Sequence, residues 1–262
     1  MSEAFVKTHI DESGIATITF YHPQSNSLPA VILKHLAHQI EEAGKNHQVK
    51  VILLKSEGEK AFCAGASFDE LLAIAELAEK NKEEAKAKGK EFFSGFAYVI
   101  NAIRTVPKFV VGRVHAKAVG GGVGISAAVD YCFAVKQASV KLSELALGIG
   151  PFVVGPAVQR KINTSGFSQM SINATEWFSA EWAREKGLFC EVFDTTQEMD
   201  TAIEKLTLQL SKSNPDAMRN IKKVLWEDAE HWDKLLFERA GISGNLVISD
   251  YTRKFILSFK KK

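Results

Sequence analysis

Cysteine is scarce: Cys63, Cys132 and Cys190 stand far apart in 262 residues and form neither a CxxC pair nor a zinc-ligand spacing. That excludes a disulfide framework, and a chain of this length can bury a core without a staple. Cys132 and Cys190 read as small buried hydrophobes. Charge excess is missing too. The 33 basic and 31 acidic residues leave a net charge of +2, so no nucleic-acid partner is expected. No run of about 18 apolar residues exists to cross a membrane. The opening MSEAFVKTHIDESG has no basic segment followed by an apolar one, so no secretory signal is expected and the reading is cytoplasmic. Internal repeats, low-complexity tracts and flexible linkers are also absent. The lysine tip at 260–262 reads as a solvated terminus.

What remains has the composition of a globular protein, 46% hydrophobic and 24% charged. Phe5 to Ile10 and Ile15 to Phe20 flank Asp11-Glu12-Ser13-Gly14 and predict a hairpin. After Pro29, apolar residues at Val31, Leu33, Leu36 and Ile40 predict a helix closed by Gly44. Val49 to Lys55 reads as a strand. Phe68 to about Lys88 is rich in helix formers, and a second helix is expected from about Glu91 to Arg104. Phe109 to Val114 is a further strand, Val123 to Val129 a small-residue helix, and Tyr131 to Val135 and Ser139 to Lys141 strands again. Alternation of strand and helix implies an α/β core. Beyond Val154 the pattern is almost wholly helical, with one strand near Phe189 to Phe193. The expected division is a core over 1–195 and a helical region over 196–262.

Three segments concentrate unusual residues. Ala61-Phe62-Cys63-Ala64-Gly65-Ala66 follows a strand. Gly120-Gly121-Gly122 stands between a strand and a helix, where it exposes backbone N–H groups without side chains in the way. Its spacing is neither a dinucleotide fingerprint nor a Walker A loop. The third segment, Leu142 to Pro151, carries Glu144 and ends in Gly148-Ile149-Gly150-Pro151.

In this order the three segments resemble the enoyl-CoA hydratase/isomerase (crotonase) family. Asn214-Pro215-Asp216-Ala217, with Lys222 and Lys223 beyond it, is similar to that family's C-terminal helices. The resemblance implies the ClpP/crotonase α/β fold, a core of ββα repeats with a helical C-terminal region that serves as a trimerisation region. It implies an acyl-CoA substrate and no cofactor. The oxyanion hole would be formed by the amides of Ala66 and Gly121, Glu144 would be the general acid/base, and Ala64, Gly65, Gly120, Gly124 and Phe152 would border the substrate. Two such donors aimed at a thioester oxygen commonly contribute about 3–4 kcal/mol each to lowering the barrier.

Departures from the family pattern bear on the chemistry. Typical hydratases carry a first glutamate two residues past the triplet, where this chain has Gly124. Ser67 stands where many members have Asp, Ser25 where relatives are often basic, and Phe152-Val153-Val154-Gly155-Pro156 replaces a glycine-rich stretch. Ser-Glu, then Gly-Ile-Gly-Pro, then Val-Val-Gly-Pro looks like a branch with bacterial methylglutaconyl-CoA hydratases. Hydration of a 2-enoyl-CoA is therefore the leading expectation. Double-bond isomerisation needs a single base and is the alternative, as are decarboxylation of a carboxyacyl-CoA and a catalytically silent CoA-binding subunit. The resemblance also implies a homotrimer or a dimer of trimers. His115 reads as a strand histidine satisfied by backbone, and Asp130 as a turn or cap residue. His35 and His38 lack a third ligand, so no metal site is expected. The four tryptophans read as core or subunit-contact residues.

Overall fold

A hairpin opens the chain in the computed structural model, which describes residues 3–259, so the lysine tip at 260–262 lies outside the described residues. Strands β1 (Phe5–Ile10) and β2 (Ile15–Tyr21) pair antiparallel, with Phe5 opposite Tyr21. A short β3 (Ser27–Leu28) leads into α1 (Ala30–Lys45), where Pro29 is the cap rather than the first helical residue. Next come β4 (Val51–Ser56), β5 (Ala61–Cys63), β6 (Gly65–Ala66), α2 (Phe68–Lys80) and α3 (Lys82–Thr105). Strands β7 (Phe109–Val114) and β8 (Lys117–Val119) precede α4 (Gly121–Ala128), β9 (Tyr131–Val135) and β10 (Ser139–Lys141). The remainder is α5 (Gly155–Ile172), β11 (Phe178–Ser179), α6 (Ala180–Glu185), β12 (Glu191–Phe193), α7 (Thr196–Ser211), α8 (Pro215–Leu225), α9 (Trp232–Val247) and α10 (Asp250–Ser258).

The main sheet runs β1-β2-β4-β7-β9-β12 and is parallel from β2 onward. Its central strands are continuous apolar runs because both faces are covered. A smaller sheet, β11-β10-β8-β5, stands beside it, and β3 pairs with β6 in a third. These short strands do not show as a period-2 pattern, yet they carry the segments of interest. Phe20 and Phe62 meet edge-on at 5.5 Å and join the main sheet to β5.

The helix boundary expected between about Lys88 and Glu91 lies instead at Asn81. Its backbone is extended and its side chain accepts from Glu84 N, so it caps α3. Gly89 does not interrupt α3. A β-carbon there would lie 3.1 Å from Gly244 Cα, so it permits the close crossing of α3 and α9. Asp130 is structural, though as the centre of a buried network rather than a turn. Its carboxylate accepts from Val110 N and Trp226 Nε1 and pairs with Lys222 Nζ at 2.9 Å, fastening α8 under the sheet. The helices from Thr196 to Ser258 pack onto the core itself, α9 on α3 and α10 on α2.

Candidate active site

The first of the three segments is fixed by a residue that pattern reading passed over. Asn26 is buried with φ +57°, and its side chain donates to Glu57 O and Ala61 O while accepting from His22 N. Its own carbonyl accepts from Ala64 N, and Leu28 O accepts from Ser67 N. The strand β6 between those bonds holds Gly65 at φ +86°, a conformation that suits glycine. A β-carbon at Gly65 would lie 2.9 Å from Val119 O and 3.5 Å from Gly121 N, so Gly65–Ala66 sits against the start of α4. Ser67 caps α2 by accepting from Glu70 N, which is the work done at the position where the family often has Asp. Cys63 beside it is buried, and burial pushes its thiol up to about 12, so it is no nucleophile.

Each glycine of the triplet faces a different neighbour. Gly120 has φ +51°, and a β-carbon on it would lie 3.0 Å from Glu144 Oε1. One on Gly121 would overlap the Phe96 ring, 2.5 Å from Cζ, and one on Gly122 would lie 2.5 Å from Cys63 O. Gly121 and Gly122 open α4, so their amides have no acceptor within the helix and lie at the positive end of its dipole.

Glu144 comes from the turn after β10. Its backbone carbonyl accepts from Leu147 N and Ile149 N, and Gly148 closes the turn in the left-handed conformation. Its side chain caps nothing, so it is not the capping carboxylate that such a placement ordinarily supplies. Oε2 is buried and has no hydrogen-bond partner among the described residues. Burial raises the carboxyl from its ordinary range to about 7, with its own backbone N–H opposing. The turn is held from behind by α10, where buried Thr252 donates to Gly148 O at 2.8 Å. Thr252→Val keeps the shape and leaves that carbonyl unpaired. It should cost about 1–3 kcal/mol, read from the urea midpoint at unchanged slope.

These groups line one cavity of about 360 Å³. Ala64, Gly65, Ala66, Gly120, Gly121 and Glu144 form one side, and the rings of Phe68, Phe93, Phe96 and Phe152 with Leu71 and Val154 make much of the rest apolar. Ser143 and Ser243 open on it, and Gln24 and Asp69, hydrogen-bonded at 2.6 Å, also border it. No lysine or arginine lines it among the described residues. Seven of the eight expected site residues therefore meet. Gly124 does not: it is buried between α4 and α5, where a β-carbon would lie 2.6 Å from Val154 Cβ. Phe96 belongs to no motif, and Val154 stands out in the sequence only as part of Val-Val-Gly-Pro; through-space packing is what pairs each with its glycine.

His115 lies outside this cavity, one residue past β7, and meets backbone through one nitrogen only: Nε2 donates to Gly58 O at 2.6 Å, Nδ1 is buried without a partner among the described residues, and burial lowers the pKa. Trp226 and Trp232 pack edge-on in the core, while Trp177 is exposed beneath Lys117 and Lys141. No helix among the described residues is long and apolar enough to cross a membrane.

Comparison with known proteins bears on the family and the fold. The sequence model of the enoyl-CoA hydratase/isomerase family matches residues 11–241. A short-chain-enoyl-CoA hydratase of Clostridium acetobutylicum is 26% identical over 215 residues, 82% of this chain and 78% of that one. The human mitochondrial methylglutaconyl-CoA hydratase is 29% identical over 213 residues, 78% of this chain and 58% of that one. An enoyl-CoA hydratase structure from Bacillus halodurans superposes with a TM-score of 0.85 at 22% identity, covering 97% and 99% of the two chains.

Proposed function

The chain belongs to the enoyl-CoA hydratase/isomerase family, and from that premise we propose that its cavity holds the acyl part of a coenzyme A thioester and hydrates a 2-enoyl-CoA. The thioester oxygen accepts from the amides of Ala66 and Gly121. Glu144 takes a proton from water as the hydroxyl adds to the β-carbon, which moves negative charge onto that oxygen. The proton is then returned to the α-carbon as the enolate collapses. The supporting observation is the Glu144 carboxyl, whose Oε2 is buried beside Gly120 without a partner among the described residues, in the cavity that Gly121 also lines. Its pKa near 7 allows one group both to accept and to return a proton.

A second reading, double-bond isomerisation, is favoured by one feature. Val154 stands where a side chain at Gly124 would go, so no carboxylate joins Glu144 from α4, and the other one bordering the cavity, Asp69, is held by Gln24. Moving a proton between two carbons of a dienolate needs no second one. A carboxylated acyl group, as in methylglutaconyl-CoA or a decarboxylase substrate, would meet no cation on the wall among the described residues. Assembly as a homotrimer or dimer of trimers is part of the proposal. It is supported by exposed apolar residues on α8 and α9, Ile221, Val224, Leu225 and Ile242, and sedimentation measures it.

Incubation with a panel of straight, branched and carboxylated enoyl-CoA thioesters tests the reaction. A mass gain of one water is the expected result on a straight chain. A shifted double bond at unchanged mass would replace hydration by isomerisation, and no binding of any thioester would remove the assignment.

A further inference from the structure

The position that lacks the family's first glutamate is filled, and what fills it faces the substrate cavity. Gly121 and Gly124 are one turn apart on α4 and share a face, about 5–6 Å from each other. A β-carbon at Gly124 would overlap Val154 Cγ1 and lie 2.6 Å from its Cβ and 3.5 Å from its Cα. Val154 is itself 4% exposed and lines the cavity. It has little freedom to yield, since its backbone caps α5 and its carbonyl accepts from Val158 N at 3.0 Å. Bulk at 124 and bulk at 154 therefore compete for one space, one turn of α4 from Gly121.

We infer that Val154 is the specificity-determining residue of the acyl wall, taking the space of the missing side chain at Gly124 and barring acyl chains branched next to the thioester carbonyl. This inference rests on the acyl-CoA reading of the cavity. An oxygen held by Gly121 N places the α-carbon only two bonds away, in the same cavity that Val154 lines. A branch on that carbon meets the isopropyl group of Val154, while an unbranched chain runs past it between Phe93, Phe96 and Leu71. The same contact means that Gly124→Glu alone has no room for its side chain and gains no activity. A second carboxylate can enter only together with a smaller residue at 154.

Calorimetric binding of butyryl-CoA and 2-methylbutyryl-CoA, neither of which reacts, tests this without relying on turnover. The wild type should prefer the straight chain by about tenfold or more, the size of one misplaced methyl group in a tight pocket. Val154→Ala should erase most of that preference, and the isosteric Val154→Thr should keep it. Gly124→Ala should lower the melting temperature, and Gly124→Ala/Val154→Ala should recover it. An unchanged preference in Val154→Ala, or a Gly124→Ala variant as stable as the wild type, overturns the inference while leaving the acyl-CoA reading intact. Failure of the wild type to bind either thioester overturns both.

Discussion

Glu144→Gln is expected to lower kcat for the best thioester by about 10²- to 10⁴-fold, the range for loss of a positioned acid/base group. The amide is nearly isosteric, sits in the same turn and needs no charge in a buried position, so binding should change little. The pH profile separates a catalytic role from a structural one. In the wild type the base form must be present, and the carboxyl is raised to about 7 by burial. Activity should therefore fall about tenfold per pH unit below that value and level off above it. Glu144→Gln should lose that limb, its residual rate coming from the oxyanion donors alone. A variant retaining activity within a few-fold of wild type, or a wild-type profile flat from pH 5 to 8, would remove Glu144 from the mechanism.

Much of the frame that carries Glu144 is legible in the sequence. The hairpin and β7 fall where alternation and apolar runs put them, because long strands bury enough side chains to leave a pattern. The elements that build the site are the ones that do not. Strands β3, β6 and β8 are two or three residues long, too short for a period to register, and their placement depends on pairing with distant segments. The residues Ala66, Gly121 and Glu144 were recognisable through motif resemblance. The pairings that make the glycines of α4 necessary were not. Phe96 explains Gly121, Val154 explains Gly124 and Cys63 explains Gly122, and each pair is separated by at least 25 residues and joined only by the fold. The break at Asn81 was hidden for the opposite reason. Strong helix formers on both sides mask a cap whose signal is a single side-chain hydrogen bond.

Gly121→Ala tests the oxyanion assignment where its geometry is tightest, and kcat should fall by about 10²- to 10³-fold, as for loss of one oxyanion donor. Helix propensity alone would favour alanine by roughly 1 kcal/mol. Here that gain is opposed by overpacking of about 1–3 kcal/mol, because the new methyl would enter the buried Phe96 ring. Stability should thus change little while activity collapses. The first turn of α4 must retreat from Phe96, and its leading amide is displaced from the thioester oxygen. A displacement near 1 Å is enough, since misplacement on that scale can cost about 10²-fold. Adding Phe96→Leu to Gly121→Ala removes the obstacle and should return much of kcat, with KM altered because Phe96 also walls the acyl cavity. Phe96→Leu alone should affect KM more than kcat. Should Gly121→Ala turn over at the wild-type rate, the amide at 121 is not a donor to the reacting oxygen. Should it be inactive and the Phe96 change restore nothing, the loss arises elsewhere than in that contact.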